Sequence, residues 1–163
     1  MTIVIGLGGN VGTHEEVLRR LQLARTALTV LGPTRYAPLY RSAPIGPVQA
    51  PFLNSAVSLR LDDVQPPELL ATVQEIEIQL GRRRRDETRW GPRSLDLDVL
   101  VWDDRVFRTP DLEVPHPRLT ERRFALEPLA ELLGRDHVVA GHTLEHWLSS
   151  VRDQQVEHLA TTW

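Results

Sequence analysis

Asp96 and Asp98 stand one residue apart in the stretch Ser94–Trp102, interleaved with Leu95, Leu97 and Val99. That alternation predicts a strand over 94–102. Leu95, Leu97, Val99 and Val101 would share one face, and Asp96, Asp98, Leu100 and Trp102 the other. The strand rise puts the two aspartate Cα atoms about 6.6–7 Å apart on one face. Two carboxylates so placed repel each other and are costly to bury unpaired. A divalent cation removes that cost. The spacing suits one shared ion, or two ions about 3.5–4 Å apart that clamp a phosphoryl group. Magnesium is the usual hard ion when only carboxylate and phosphate oxygens are on offer. A solvated strand face, or ion pairing with nearby arginines, would also accommodate the pair. The continuation of the same face by Leu100 and Trp102 argues against open solvent.

The nearby arginines point to the same chemistry. Residues 82–93 hold Arg82, Arg83, Arg84, Arg85, Arg89 and Arg93 against only Asp86 and Glu87. A guanidinium donates bidentate hydrogen bonds to phosphate and keeps its charge. A cationic loop beside acidic metal ligands is a sensible polyphosphate site. Trp90, inside this loop, would be a stacking platform or the anchor of the loop to the core. All 19 Lys+Arg positions are arginine, so a Walker A lysine and Schiff-base chemistry are both excluded. The absence of cysteine removes disulfides, thiolate metal sites and cysteine nucleophiles.

The elements that must position these groups can be read from periodicity. Residues 2–7 form an apolar run expected to be a buried strand. Thr13 and Glu16 make a capping box, after which Val17, Leu21, Ala24, Leu28 and Leu31 recur at helical spacing until Gly32-Pro33. Thr34 to Ser42 reads as an extended edge segment interrupted by Pro38, and Ala43 to Pro51 as a long loop. Leu53, Ser55, Val57, Leu59 and Leu61 alternate as in a half-buried strand. Pro66-Pro67 opens a helix whose stripe is Leu69, Val73, Ile76 and Leu80, ended by Gly81. After the strand at 94–102, a helix disturbed at Pro128 is expected over about 120–133, and a short one after Thr143. The order β-α-β-β-α-β predicts an α+β fold: a ferredoxin-like core whose mostly antiparallel sheet is covered by helices, with C-terminal helical additions. At 163 residues the chain fits a single domain, 1–163.

The segment Arg89-Trp90-Gly91-Pro92-Arg93-Ser94-Leu95-Asp96-Leu97-Asp98 resembles the signature of the 6-hydroxymethyl-7,8-dihydropterin pyrophosphokinases of folate biosynthesis. Further matches fall in order around it: Gly6 to Asn10, Tyr40 to Gly46, Phe52-Leu53-Asn54, Gln74 to Glu77, Gly81-Arg82 and Val114 to Pro117. The resemblance spans about residues 3–130. It implies transfer of pyrophosphate from ATP to the pterin hydroxymethyl oxygen, with release of AMP. It also implies two magnesium ions on Asp96 and Asp98, and a catalytic set of Arg82, Arg93, Asp96 and Asp98. The implied ATP site comprises Gln74, Glu77, Arg82, Arg84, Trp90, Arg93, Val99, His116 and Arg122. The implied pterin site comprises Ser42, Ala43, Pro44, Ile45, Phe52, Asn54, Trp90, Asp96 and Phe124. The nucleophile is then the substrate's own hydroxyl, and catalysis rests on positioning and charge neutralisation. Three positions depart from the family pattern: Gly9 replaces Ser or Thr, Ala43-Pro44 replaces Pro-Pro, and Pro117 replaces an aromatic.

Other readings are weaker. Gly6-Leu7-Gly8-Gly9-Asn10-Val11-Gly12 has its last glycine one place late for a dinucleotide fingerprint. His142-Thr143-Leu144-Glu145-His146 spells a zinc-peptidase motif, but Thr143 as a helix cap would leave His142 outside the helix. A ferredoxin-like nucleic-acid module using loop 82–93 is the alternative function, opposed by a net charge of -3 and 6% aromatic residues. No apolar run approaches the roughly 18 residues that cross a bilayer, and Met1-Thr2-Ile3-Val4-Ile5-Gly6 lacks the basic n-region and cleavage site expected of a signal peptide. The expectation is a monomeric cytoplasmic enzyme of small-molecule substrates, with neither nucleic acid nor membrane as partner.

Overall fold

The computed structural model of the chain describes residues 1–82 and 91–163. Its centre is a six-stranded sheet built from β1 (Thr2–Gly9), β2 (Thr34–Tyr36), β3 (Leu39–Ser42), β4 (Phe52–Arg60), β5 (Asp96–Trp102) and β10 (Val156–Ala160). The strand order is β10-β3-β4-β1-β5, with β2 pairing β4 in addition, and every pairing is antiparallel.

Helices cover both faces. On one side α1 (His14–Leu31) and α2 (Pro66–Gln79) lay Val17, Leu21, Ala24, Leu28, Leu69, Val73 and Ile76 onto Ile3, Ile5, Leu7, Leu97 and Val99. On the other, α3 (Arg123–Leu133) and α4 (Leu144–Ser150) pack Leu126, Leu129, Leu144 and Leu148 against Val4, Ala56 and Leu100. The capping box is present: Thr13 Oγ1 accepts from Glu16 N at 3.2 Å, and Thr13 N donates to Glu16 Oε2 at 2.7 Å. The described residues also form two short hairpins, β6 (Phe107–Arg108) with β7 (Glu113–Val114), and β8 (Val138–Val139) with β9 (His142–Thr143).

Four sequence expectations need correction. Thr34–Ser42 is two strands divided at Pro38, and β3 is interior, because β10 pairs along its outer side. The strand read as half-buried is buried on both faces, since α3 covers Asn54 and Ala56 on the side opposite Leu53, Val57 and Leu59. The first strand runs to Gly9 rather than ending at residue 7. In β5 the alternation breaks. Ile5 faces Val99 but Val4 faces Val101, so Leu100 is the extra residue of a bulge. Trp102 therefore joins Leu97 and Val99 in the α1–α2 core, and Leu100 and Val101 both join the α3 core.

Candidate functional site

The register of β5 against β1 determines what surrounds the two aspartates. Asp96 lies opposite Gly8 and Asp98 opposite Gly6. Directly opposed residues share a sheet face, so the carboxylates have no side chain beside them on β1. The vacated space is a cavity of about 290 Å³ between the sheet and α3. Ser42, Ala43, Ile45, Phe52 and Asn54 line one side of it, and Leu119, Arg122, Phe124 and Ala125 the other. Arg93, Asp96, Asp98 and His116 close one end. A side chain at either glycine would be crowded there. A Cβ at Gly6 would meet Leu100 Cδ1 at 3.2 Å, and one at Gly8 would meet Asn54 Oδ1 at 3.3 Å. Asn54 is buried and donates from Nδ2 to Ser42 Oγ at 2.7 Å, which fixes a polar edge inside a largely apolar slot.

A second cavity of about 400 Å³ lies around the outer edge of β5. Its walls are Leu70, Gln74 and Glu77 from α2, Leu97 and Val99 from β5, and Thr109 to Glu113 from the β6–β7 hairpin. Asp96, Asp98 and His116 line both cavities. The carboxylate pair is the boundary between the two spaces.

The electrostatics of that boundary follow from burial. The Asp98 carboxyl is pushed up to about 7, first by desolvation and then by the charge of Asp96. Arg82 Nη1 donates to Asp96 Oδ1 at 2.6 Å and also to Glu77 Oε1. Glu77 is fully buried, and the same Oε1 accepts from Leu97 N at 2.8 Å, so one carboxylate ties α2, β5 and Arg82 together. His116 is pulled down to about 4 by its burial and by the charge of Arg122, and is neutral at pH 7. Its Nδ1 accepts from Arg118 N at 3.2 Å. The ring hydrogen therefore sits on Nε2, which stands 3.9 Å from Asp98 Oδ2. The His116 backbone is held by its N–H donating to Leu100 O at 2.9 Å, on the bulged residue itself.

Asn10 links the loops above the cavity. Buried at the end of β1, it accepts from Arg93 N at 2.8 Å and donates to Gln49 Oε1 and Ala50 O, both at 2.9 Å. Gly9 permits the close approach. Its Cβ would lie 2.7 Å from Ser94 O, and Arg93 O accepts from Asn10 N at 2.8 Å.

The candidates named from sequence thus fall into two groups. Ser42, Ala43, Ile45, Phe52, Asn54, Arg93, Arg122 and Phe124 line the first cavity; Gln74, Glu77, Arg82 and Val99 line the second. Pro44 lines neither, although it lies between two residues that do. Arg84 and Trp90 fall outside the described residues. Sequence reasoning missed Gly6, Gly8 and Asn10 as shapers of the site, and the 109–113 hairpin as a wall. The hairpin's strands are two residues each, too short for periodicity; Pro110-Asp111 between Phe107 and Val114 was the available turn signal. Thr143 does cap α4, accepting from His146 N at 3.2 Å. His142 lies outside that helix, with its ring stacked on His146 at 4.2 Å.

Among the described residues, no three His, Cys, Asp or Glu side chains form a metal-binding group. What the chain offers a metal is the pair Asp96 and Asp98. Two carboxylates facing two open cavities suit a hard ion that takes its other ligands from water and phosphate, as magnesium does.

Residues 4–134 match the family model described as 7,8-dihydro-6-hydroxymethylpterin-pyrophosphokinase. The 2-amino-4-hydroxy-6-hydroxymethyldihydropteridine pyrophosphokinase of Bacillus subtilis is 45% identical over 132 residues, covering 78% of this chain and 75% of that protein. The protein of the same name from Pseudomonas aeruginosa is 34% identical over 160 residues, covering 96% of each. Among solved structures, wild-type Plasmodium falciparum HPPK-DHPS with pteroate superposes with a TM-score of 0.69 at 12% identity. It covers 91% of this chain, which spans 44% of that larger one and shares its fold over that part.

Proposed function

The chain belongs to the 7,8-dihydro-6-hydroxymethylpterin-pyrophosphokinase family, and from that premise we propose that it transfers pyrophosphate from ATP to the hydroxymethyl group of 6-hydroxymethyl-7,8-dihydropterin, releasing AMP. The observation that carries this reading is the meeting of two cavities at one carboxylate pair. A group transfer between two small molecules needs their reacting ends brought together at one charged junction, and the rest of each held apart.

The first cavity suits the pterin. It is a slot with Phe52 and Phe124 among its walls and the Asn54 amide at its edge, matching a flat, polar-edged ring. The second suits ATP, with Gln74, Val99 and the 109–113 hairpin toward the base and Arg82 toward the phosphates. Asp96 and Asp98 would hold two magnesium ions, which supply charge neutralisation to the phosphates when bound. Arg82 is already held at the junction by Asp96 and Glu77, so its charge needs little reorganisation to meet a phosphate. Arg93, fixed through its backbone by Asn10, would bring a second guanidinium from the first-cavity side. Neutral His116 would present its Nε2 hydrogen at the junction as a donor. Arg84 and Trp90 are kept as substrate contacts on the resemblance alone. The attacking oxygen is the pterin's own, which agrees with the lack of cysteine and lysine nucleophiles.

The strand order β3-β4-β1-β5, with α1 and α2 on one face, supports a ferredoxin-like βαββαβ core within a single domain. The same reading carries a monomeric cytoplasmic enzyme. Among the described residues, no helix is long and apolar enough to cross a membrane. A nucleic-acid-binding module finds no support, since such a module leaves the carboxylate pair facing a phosphate backbone that it would repel. Incubating the protein with ATP, magnesium and 6-hydroxymethyl-7,8-dihydropterin is expected to yield AMP and the pterin diphosphate in equal amounts. Folded protein that yields neither would refute the assignment.

A further inference from the structure

The matched family region ends at residue 134, yet a turn beyond it holds one wall of the first cavity. In that wall, Arg122 and Phe124 flank the start of α3. Arg122 has extended backbone (φ -125°, ψ 100°) between a 3-10 turn at Leu119–Glu121 and the helix, and its side chain makes no cap hydrogen bond to the helix. The first N–H groups of a helix have no partner within it.

Gln154 supplies one. Its Oε1 accepts from Arg123 N at 2.9 Å, and its Nε2 donates to Glu121 O at 2.7 Å. A single amide thus bridges the residue before and the residue after Arg122. Arg123 returns the contact, with Nη1 donating to Arg152 O at 3.1 Å and Gln154 O at 3.0 Å. The same turn reaches the opposite wall. Gln155 O accepts from Ala43 N at 3.2 Å, and Val156 pairs with Ser42 where β10 joins β3. Ser42 and Ala43 line the cavity across from Arg122.

We propose that Gln154 is a positioning residue for the ligand of the first cavity: its side-chain amide fixes the backbone on both sides of Arg122, and with it the placement of Arg122 and Phe124 against the bound ring. The proposal rests on the pterin reading of that cavity. Gln154 acts only through other residues. Arg123 N and Glu121 O line neither cavity, and Arg122 and Phe124 line the first and not the second, so the larger influence falls on the ligand of the first cavity.

Gln154→Leu keeps the side chain's bulk and removes both hydrogen bonds. The expected result is a KM for 6-hydroxymethyl-7,8-dihydropterin raised about 3–10-fold. The KM for ATP should rise by a smaller factor than that for the pterin. Titrating the pterin into protein saturated with a non-hydrolysable ATP analogue should show the same weakening. If Gln154→Leu does not fold, Gln154→Glu tests the same expectation, because it keeps an acceptor for Arg123 N and loses the donor to Glu121 O. An unchanged pterin KM in folded variant, or an equal rise for both substrates, overturns the proposal. Wild-type protein that makes no AMP overturns the pterin reading first, and this inference with it.

Discussion

Asp98 is where sequence, burial and charge meet most directly. Its carboxyl is raised to about 7, above the ordinary value of 3.8, by desolvation and by Asp96. A carboxyl whose folded-state pKa lies above its unfolded one takes up a proton on folding. Its contribution therefore favours the fold at low pH and is lost as pH rises through about 7. His116 runs the other way, from 6.5 to about 4, so its contribution is complete above 6.5 and lost as pH falls toward 4. Between about 4 and 6.5 the two oppose each other, and near 7 Asp98 acts alone. Asp98→Asn is accordingly expected to melt about 2–4 °C above wild type in metal-free buffer at pH 8. The gap should narrow below pH 7 and close near pH 4, as scanning calorimetry across pH would show. Magnesium at pH 8 should stabilise the wild type and leave the variant unmoved. Turnover of the variant should fall by at least about 100-fold.

Among the elements, β5 was the most legible and also the most misleading. Asp96 and Asp98 mark its polar face unambiguously, and the structure places both on one side of the sheet. Beyond Asp98 every residue to Trp102 is apolar, so the alternation loses contrast and a one-residue bulge leaves no trace. Only the pairing with β1 reveals that Leu100 is the inserted residue. β10 escaped notice for a different reason. Val156–Ala160 is short, and its partner β3 lies more than a hundred residues earlier, so no local pattern announces the pairing. The helices, set by caps and by stripes of local period, were read nearly to their ends.

The junction of β1 with the segment before β5 gives an element-scale prediction. Gly9 stands where the family pattern has Ser or Thr, and in this chain Ser94 O leaves no room for a Cβ. Gly9→Ser is expected to cost about 1–3 kcal/mol in denaturant unfolding, because the obstacle is backbone and cannot swing aside. The same displacement would loosen the Asn10–Arg93 bond, so the KM for ATP should rise in the variant as well.

At the scale of the whole molecule, the site's position follows from strand order. β5 is an edge of the main sheet, so its carboxylates can be approached over the sheet face beneath α3 and around the open margin beside α2. An interior strand would offer only the faces. The far side of the molecule is fastened independently of this chemistry. The Arg25 guanidinium sits over the rings of both Tyr36 and Trp163, 4.4 and 4.5 Å from their centroids, the two rings meet edge to face, and Trp163 Nε1 donates to Ala37 O at 2.9 Å. Arg25→Ala should lower stability by about 1–2 kcal/mol in chemical denaturation. Both substrate KM values should stay unchanged, since none of these groups lines either cavity.

Gly6 and Gly8, opposite the two aspartates, bear on how an inhibitor of this protein would age in use. Resistance usually arises when a target trims or reshapes a side chain that the drug needs more than the substrate does. At these two positions there is no side chain to trim. Any replacement adds atoms beside Leu100 or Asn54, crowding the space that the natural ring must enter. A compound that draws its contacts from this bare stretch of backbone can be resisted there only by adding atoms, next to the space that the substrate itself must use.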